Sequence, residues 1–386
     1  MNRAIIDTRT DSTFNGNPFV GLRPFNSDEG LLFFGRQDQA AELMRKLHLT
    51  RFLGVVGSSG CGKSSLIRAG LIPKLKAGLL VGDRDRWRIA IMKPGDAPLR
   101  NLAISLIDAA TDVLNPATTA ILEEIDIAAM VKSLRKAGGQ AVVDYLSKNI
   151  AGSTNLLLLV DQFEELFHFG VETGKKRDEA ADFVSIMLDL AEQRALPIYV
   201  VMTMRSDYLG ECDNFYGLPE ALNRSQYLVP RLTRQQRQQA IEGPIRLFGQ
   251  KITPRLVDRV LNEVGDQSDQ LPVMQHVLMR TWDNWRQSGG EVIDSPHYEE
   301  AGTIKRALSD DADSALIEMT DEERKIAERM FQALTNIDNR NRRVRRQTHL
   351  SELLAITGAT REQLLKIINR FRGEGRSFLN IEDDKL

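Results

Sequence analysis

The sequence predicts an α/β fold with a parallel sheet flanked by helices, followed by an all-helical domain and a winged-helix-like domain. Two short apolar runs, residues 52–56 and 156–160, have the composition of strands that are buried on both faces of a sheet. Helical patterns follow both runs, and an alternation of strands with helices is typical of parallel sheets. From Thr233 onward the apolar residues repeat at helical spacing alone.

The whole-chain composition is that of a soluble globular protein. The 386 residues, 42% of them hydrophobic and 27% charged, suffice for two or three domains. A net charge of -2 gives no general attraction to nucleic acid or to acidic membranes. The two cysteines, Cys61 and Cys212, offer no disulfide framework, and no apolar run is long enough to span a membrane. We therefore expect a cytoplasmic protein without membrane association.

The first predicted strand runs directly into the segment 57–64, GSSGCGKS. This segment matches the phosphate-binding pattern G-x-x-x-x-G-K-[ST] at each fixed position, and a predicted helix follows it. The backbone N–H groups of such a loop surround phosphate oxygens at the positive end of the helix. Lys63 would contact the β- and γ-phosphates, and the Ser64 hydroxyl would bind Mg²⁺. The predicted nucleotide-binding residues of the loop are Ser58, Ser59, Gly60, Cys61, Gly62, Lys63, Ser64 and Ser65.

The second apolar run ends at Asp161. A carboxylate at the carboxyl end of a buried parallel strand lies where open α/β sheets bind their ligands. Asp161 is therefore the predicted partner of Ser64 in holding Mg²⁺, with a simple helix cap as the competing interpretation. Glu164 or Glu165 would polarise the attacking water and accept its proton, although acidic residues also commonly solvate a first helical turn.

Two further features precede or follow these strands. Phe34, Gly35 and Arg36 form an aromatic turn before the helix that leads to the phosphate loop, and they could lie against an adenine base. A helix entry with a packed phenylalanine explains them equally well. Arg205 ends a third buried strand, residues 197–204, and could contact the γ-phosphate; a surface salt bridge is its competing interpretation.

The predicted domains are a flexible tail (1–16), a nucleotide-binding domain (17–232), a helical domain (233–302) and a winged-helix domain (303–386) that stops before its hairpin is complete. Thr233 and Gln236 form a predicted capping box, and Pro272 lies near the first turn of a later helix. We expect a strand at residues 377–380. The run 340–346 contains five arginines in seven residues and would suit DNA, nucleotide phosphates or an acidic neighbouring domain.

Several of these segments resemble the novel STAND NTPase family. They are residues 17–36 (NPFVGLRPFNSDEGLLFFGR), 55–75 (VVGSSGCGKSSLIRAGLIPKL), 157–167 (LLLVDQFEELF) and 201–212 (VMTMRSDYLGEC). Later segments, 241–244, 271–278 and 371–379, are similar to the family too. The resemblance covers nearly everything from Asn17 onward.

The resemblance implies a signal-transducing ATPase of the AAA+/NACHT-like type. In such proteins ADP holds a closed monomer, and exchange for ATP permits oligomerisation. Phe34, Gly35 and Arg36 would line the adenine, and Arg205 would be the first sensor arginine. Asp161 with Glu164 and Glu165 would form the acidic metal-and-water motif. Pro272 would pack on the nucleotide.

Two departures from the family pattern concern the ends of the chain. Neither an N-terminal effector nor a C-terminal sensor is visible, so we expect such partners to lie on other domains or proteins. The family's winged helix normally continues into a segment with a nucleotide-monitoring histidine, which would lie beyond Leu386. Cys61, where Ser or Gly is more usual, would make the loop sensitive to thiol reagents.

Two hypotheses for function follow. The first is an ATP-dependent molecular switch, with ATP, ADP and Mg²⁺ as ligands, self-association on activation and a role in bacterial antiphage defence or stress signalling. The second is an AAA+-like ATPase that acts on DNA through the winged helix and the arginine run. Salt-dependent DNA binding that is lost when those arginines become alanine would favour the second.

Overall fold

A computed structural model of the chain describes residues 16–78, 86–111, 124–150, 154–169, 174–265, 270–317, 319–337, 343–345, 348–372 and 378–379. The described residues form two compact units. One comprises residues 25–236, and the other comprises residues of the segments 1–24 and 237–386.

The unit of residues 25–236 contains a five-stranded sheet in the order β2-β3-β4-β1-β5, in which every pairing is parallel. Its strands are β1 (Phe52–Gly57), β2 (Arg86–Met92), β3 (Thr154–Val160), β4 (Ile198–Arg205) and β5 (Gln226–Leu228). The predicted α/β fold is therefore confirmed. β1 and β3 are buried along their whole length, as their uninterrupted apolar sequences indicate.

Helices cover both faces of this sheet. They are α1 (Gln37–Thr50), α2 (Lys63–Ser65), α3 (Ile72–Lys76), α4 (Pro98–Ala110), α5 (Glu124–Ala137), α6 (Gly139–Asn149), α7 (Glu165–Phe169), α8 (Gly174–Glu192) and α9 (Leu218–Arg224). The next helix, α10 (Arg234–Leu247), contributes Ala240, Ile241 and Ile245 to the core of the second unit. Along β3, Leu156, Leu158 and Val160 pack against α4, α5, α6 and α8. Leu157 and Leu159 pack on the opposite face, against α1 and α3. This alternation follows from the two-residue period of a strand.

The strand register places three functional segments at one edge of the sheet. Gly57 of β1 pairs with Arg205 of β4, and Val160 of β3 pairs with Met202. The strands are parallel, so the phosphate loop after β1, Asp161 after β3 and Arg205 at the end of β4 all lie at the carboxyl edge. This is where ligands bind in open parallel sheets.

The second unit begins with a helical bundle that has its own apolar core. Its helices after α10 are α11 (Pro254–Val264), α12 (Leu271–Ser288), α13 (Ser295–Glu300) and α14 (Thr303–Ile317). The core includes the predicted stripes of α11 and α12, among them Val260, Leu261, Val277 and Trp282. Thr233 and Gln236 form the predicted capping box at the start of α10, with reciprocal backbone-to-side-chain bonds of 3.2 and 3.0 Å.

An extended segment near the N-terminus is held on α12. Asn17 Nδ2 donates to the Met279 carbonyl and to Asp283 Oδ1, both at 2.9 Å. Trp282 Nε1 donates to the Gly16 carbonyl at 2.9 Å, and Phe19 is buried in the bundle core. This segment, which mixes turn formers with large apolar residues, is therefore an extended segment that packs on the helical unit.

The sequence suggests a loop at Ser295 and Pro296, but the structure begins α13 there. Asp294 accepts a hydrogen bond from the Ser295 N–H, and His297 Nδ1 accepts one from the Asp294 N–H at 3.1 Å. Pro296 lies in the first turn, where a proline has no intrahelical N–H to lose. A cap and an early proline therefore start a short helix instead of a loop.

The remaining elements are α15 (Asp321–Ala333), β6 (Thr335–Ile337), β7 (Arg343–Arg345), α16 (Leu350–Thr357) and α17 (Arg361–Arg372). The three helices share a core, and β6 pairs with β7 in an antiparallel manner between α15 and α16. Of the expected strand at 377–380, Phe378 and Leu379 are described and lie in no strand. Phe378 instead packs on Phe371 and bonds its carbonyl, so the chain folds back on α17. The winged-helix assignment stays a prediction.

Within the described part of the chain, no helix is both long and apolar enough to cross a membrane.

Both cysteines are buried, which predicts their chemical behaviour. Cys61 is 4% and Cys212 2% exposed, and burial raises the pKa of Cys212 to about 12. Because both side chains are buried, we expect neither cysteine of the native protein to react with a maleimide under conditions in which both react after denaturation. Mass spectrometry of the labelled protein measures this. Rapid labelling of native Cys61 would contradict the structure and restore the expected thiol sensitivity of the loop.

Candidate active site

The loop between β1 and α2 has the backbone shape that phosphate binding requires. Gly60 and Gly62 have φ of 66° and 89°, in the left-handed region that favours glycine. The Leu66 N–H bonds to the Gly62 carbonyl at 2.9 Å and so starts the helix directly at the end of the loop. A Cβ at Gly57 would lie 2.8 Å from Cys61 Sγ, so a side chain at this position would force the loop to shift. The loop thus combines a glycine-dependent turn with a helix N-terminus.

Lys63 lies on the inner side of this loop. Its ammonium donates to the Gly57 carbonyl at 2.9 Å and to the Ser58 carbonyl at 2.8 Å. An ammonium has three N–H groups, so these bonds fix its position over the loop and use two of the three. A lysine held in this way presents its positive charge to whatever anion the loop binds.

Asp161 is the most densely bonded side chain of the site. It is 1% exposed, and its Oδ1 accepts hydrogen bonds from Ser64 Oγ at 2.8 Å and from Thr203 Oγ1 at 2.6 Å. The motif and the strand end predicted that Ser64 and Asp161 meet. Thr203 was missed, because only the β3–β4 pairing places it beside Asp161. Thr203 is a polar residue between apolar residues of β4, and this was the feature of the sequence that could have indicated its role.

Ser64 and Asp161 fit a magnesium ion, because Mg²⁺ prefers oxygen ligands and is commonly held by one or two protein oxygens together with substrate phosphates. Among the residues that the structure describes, no group of three or more His, Cys, Asp or Glu could hold a metal ion. A cation at this edge would therefore depend on the nucleotide for part of its coordination. Bound there, it would polarise a phosphate and neutralise charge.

The two glutamates after Asp161 have different environments. Glu164 is 9% exposed, and its Oε2 accepts the Arg205 N–H at 3.3 Å. Burial raises the pKa of Glu164, while the nearby charges of Lys63 and Arg205 act in the opposite direction. Glu165 Oε2 accepts the Gly95 N–H at 3.0 Å, in the segment after β2. Glu164 therefore lies beside the phosphate-loop lysine, whereas Glu165 anchors a neighbouring loop.

Arg205 lies at the end of β4, at the same edge. Its guanidinium forms two bonds to Asp207, at 3.0 and 2.7 Å, and lies 5.5 Å from the Tyr208 ring centroid. These contacts are the salt bridge that the sequence left open as an alternative. To contact a γ-phosphate, the guanidinium would have to break its bonds to Asp207. The sensor role of Arg205 stays a prediction.

Arg36 is buried and connects two segments of the site. Its guanidinium donates to the Cys61 carbonyl at 2.9 Å and to the Pro230 carbonyl at 2.8 Å, and burial lowers its pKa. Gly35 has a φ of 82°, and a Cβ there would lie 2.4 Å from the Gln236 carbonyl oxygen. Phe34 is half-buried. The side chain of Arg36 thus supports the loop from behind, and adenine contact by these residues stays a prediction.

Replacement of Arg36 by methionine should destabilise the fold. Two charge-assisted bonds disappear, one to the buried Cys61 carbonyl and one to the Pro230 carbonyl, and the guanidinium no longer has to be buried, so we expect the free energy of unfolding to fall by about 2–4 kcal/mol. Urea denaturation measures this change. Arg45→Met is the matched control, because Arg45 pairs with Glu42 at the exposed surface of α1 and should matter little. Equal stability of both variants would contradict the bracing role.

The other predicted site residues divide into those that lie in the loop and those that lie elsewhere. Ser65 Oγ accepts the Phe25 N–H at 3.2 Å, so this hydroxyl fixes the backbone at the first residue of the nucleotide-binding unit. Pro272 is the second residue of α12, in the other unit, and its contact with nucleotide stays a prediction. The side chains of the arginine run 340–346 lie outside the described residues.

Comparison with known proteins identifies the family. A sequence model of the family Novel STAND NTPase 1 matches residues 18–381. The chain belongs to this family. The match contains the phosphate loop, Asp161, Glu164 and Arg205, so the family assignment and the geometry concern the same site. The family name describes nucleoside triphosphatases, in agreement with the phosphate loop at residues 57–64.

Two curated relatives match a part of this chain. The aliphatic sulfonates import ATP-binding protein SsuB 2 of Burkholderia cenocepacia (strain HI2424) is 30% identical over 121 residues, which is 28% of this chain and 45% of that protein. The protein of the same name from Burkholderia orbicola (strain AU 1054) gives the same values. The chain thus spans less than half the length of these relatives.

Solved structures resemble nearly the whole chain. The ORC2 protein of Aeropyrum pernix, described as ADPNP–ADP complexes, is 12% identical with a TM-score of 0.50, over 88% of this chain and 80% of that one. A Walker-type ATPase of Pyrococcus abyssi is 13% identical with a TM-score of 0.46, over 94% and 95% of the two chains. The first likeness shows a shared fold.

Proposed function

We propose that this novel STAND NTPase is a signalling switch that binds ATP and ADP with Mg²⁺ and hydrolyses ATP slowly. One observation supports this most directly: Lys63, Ser64, Asp161 and Glu164 all lie at the carboxyl edge of the sheet, where Ser64 bonds Asp161 and Glu164 accepts the Arg205 N–H. Together they offer a cation for the phosphates, two oxygens for a metal and a carboxylate that could take a proton from water. Hydrolysis would return the switch to its resting ADP state.

Activation in this proposal consists of exchange of ADP for ATP, followed by self-association. Effector or sensor domains, on this or on other chains, would convert the assembled state into a response, and antiphage defence or stress signalling in bacteria is the setting that we propose.

The nucleotide content of the purified protein tests this proposal. We would denature protein that was isolated without added nucleotide and identify the released nucleotide by chromatography. Near-equimolar ADP, and a larger mass by light scattering after exchange for ATP, would support the switch. An empty site with steady turnover and no change in mass would indicate a working ATPase and overturn the proposal.

A further inference from the structure

Besides the two hydroxyls, Asp161 has a positively charged partner. Arg68 Nη2 donates to Asp161 Oδ2 at 2.9 Å, and the side chains of Arg68 and Asp161 are 21% and 2% exposed. Ser64 and Thr203 donate to the other oxygen, Oδ1. Both oxygens of the carboxylate that would serve a metal therefore have donors, and one of these donors carries a full charge.

The phosphate-loop helix itself delivers this arginine. Residues four apart lie on the same face of a helix, and Ser64 and Arg68 have that spacing. The helix widens to a π-helix over Leu66–Leu71, in which the Ile72 N–H bonds to the Ile67 carbonyl five residues earlier. Such widened turns frequently occur at functional sites. One helix face thus presents a hydroxyl and a guanidinium to the same aspartate.

The charge of this pair has consequences for metal binding. The guanidinium of Arg68 lies against the carboxylate and offers it a positive charge at hydrogen-bond distance. A buried carboxylate that loses its cationic partner is strongly destabilised unless another cation replaces it. A divalent cation that uses Asp161 must therefore share or displace the guanidinium. Within the described residues, Arg68 Nε is buried without a hydrogen-bond partner, so Nε adds no second anchor.

We propose that Arg68 is an internal counter-cation of Asp161 that competes with Mg²⁺. It allows the site to bind nucleotide without metal, and it makes metal binding depend on displacement of the guanidinium. Arg68 thereby acts as a positioning residue that sets how strongly nucleotide affinity depends on the divalent cation. This inference rests on the proposed role of Ser64 and Asp161 in holding Mg²⁺.

The test compares ADP affinity with EDTA and with Mg²⁺, using a fluorescent ADP analogue and equilibrium titration. For the wild-type protein we expect the two dissociation constants to agree within about tenfold, because Arg68 already compensates Asp161. For Arg68→Gln we expect a loss of about 10- to 100-fold in EDTA, the size of a charge-assisted bond, and recovery in Mg²⁺. Arg68→Lys, which keeps the charge, should fall between the two.

Metal affinity and stability provide independent readouts. Mn²⁺ titration of the ADP-loaded protein, followed by electron paramagnetic resonance, should show tighter binding to Arg68→Gln than to the wild type. Added Mg²⁺ should also raise the melting temperature of Arg68→Gln more than that of the wild type, since the metal then replaces the missing charge. Arg45→Gln, which removes a surface arginine of the same unit, should change none of these quantities.

Two results would overturn the proposal. One is an equal loss of ADP affinity by Arg68→Gln in EDTA and in Mg²⁺. The other needs no variant and applies even if Arg68→Gln does not fold: a wild-type ADP affinity that is more than about 100-fold weaker in EDTA. A wild-type protein that binds no nucleotide under either condition would instead refute the proposed function together with this inference.

Discussion

Glu164→Gln should lower the rate of ATP hydrolysis by about 10²- to 10⁴-fold while ATP binding changes little, because a positioned general base contributes this much to a rate. Glu164 is the carboxylate beside Lys63 and the Arg205 backbone, and glutamine keeps its shape while losing the ability to accept a proton from water. Single-turnover hydrolysis of radiolabelled ATP measures the rate, and equilibrium titration measures the affinity. The variant should accumulate in its ATP-bound form.

Glu165→Gln is the matched control, one residue further along the chain. Its Oε2 accepts the Gly95 N–H, and a glutamine carbonyl oxygen can accept the same bond. We therefore expect a small loss of activity from a slightly misplaced loop. A large loss in Glu165→Gln with near-normal activity in Glu164→Gln would assign the base to Glu165. Normal hydrolysis in both variants would place the base elsewhere.

The pH dependence of hydrolysis provides a second readout of the same residue. Burial raises the pKa of Glu164 above that of an ordinary glutamate, so the carboxylate takes up a proton at a higher pH than usual. A base works only when ionised, and the acid limb of kcat should therefore lie above the ordinary pKa of a glutamate. That limb should disappear in the residual activity of Glu164→Gln and persist in Glu165→Gln.

The parts of the fold and site that could be predicted from the sequence depend on local patterns. The run 156–160 is apolar at every position, and the structure buries all of β3. The phosphate-loop motif fixes Ser64, and the end of an apolar run fixes Asp161, so their hydrogen bond follows from two local patterns and from the rule that ligands bind at strand ends. The capping box of Thr233 is a similarly local pattern.

The features that sequence reasoning missed depend on which strands pair and where side chains point. Thr203 reaches Asp161 because β4 lies next to β3 in the sheet. The sequence around Thr203 does not reveal this strand order. Arg68 belongs to the helical pattern after the loop, and an arginine in a helix is usually interpreted as a solvent-exposed side chain. Arg36 donates to a carbonyl of the phosphate loop, but the sequence pattern could not tell whether its guanidinium contacts a ligand or backbone carbonyls.

Lys63→Ala should abolish tight nucleotide binding, with a loss of at least about 100-fold in affinity for both ATP and ADP, since each hydrogen bond to a charged group is worth about 1.5–3 kcal/mol. The ammonium is the side-chain cation inside the phosphate loop, fixed there by the Gly57 and Ser58 carbonyls. Removing it leaves the phosphates with backbone N–H groups alone. Equilibrium titration with fluorescent ATP and ADP analogues measures the loss.

The same lysine also braces the loop, and the experiment must separate the two effects. Loss of its two bonds to carbonyls should lower the free energy of unfolding as well, so urea denaturation without nucleotide has to accompany the titration. Lys76→Ala, at the exposed end of α3, removes a charge from the same helical segment and should leave both quantities unchanged. Unaltered ATP affinity in a folded Lys63→Ala variant would mean that the segment 57–64 binds no phosphate, and the assignment of the active site would then be wrong.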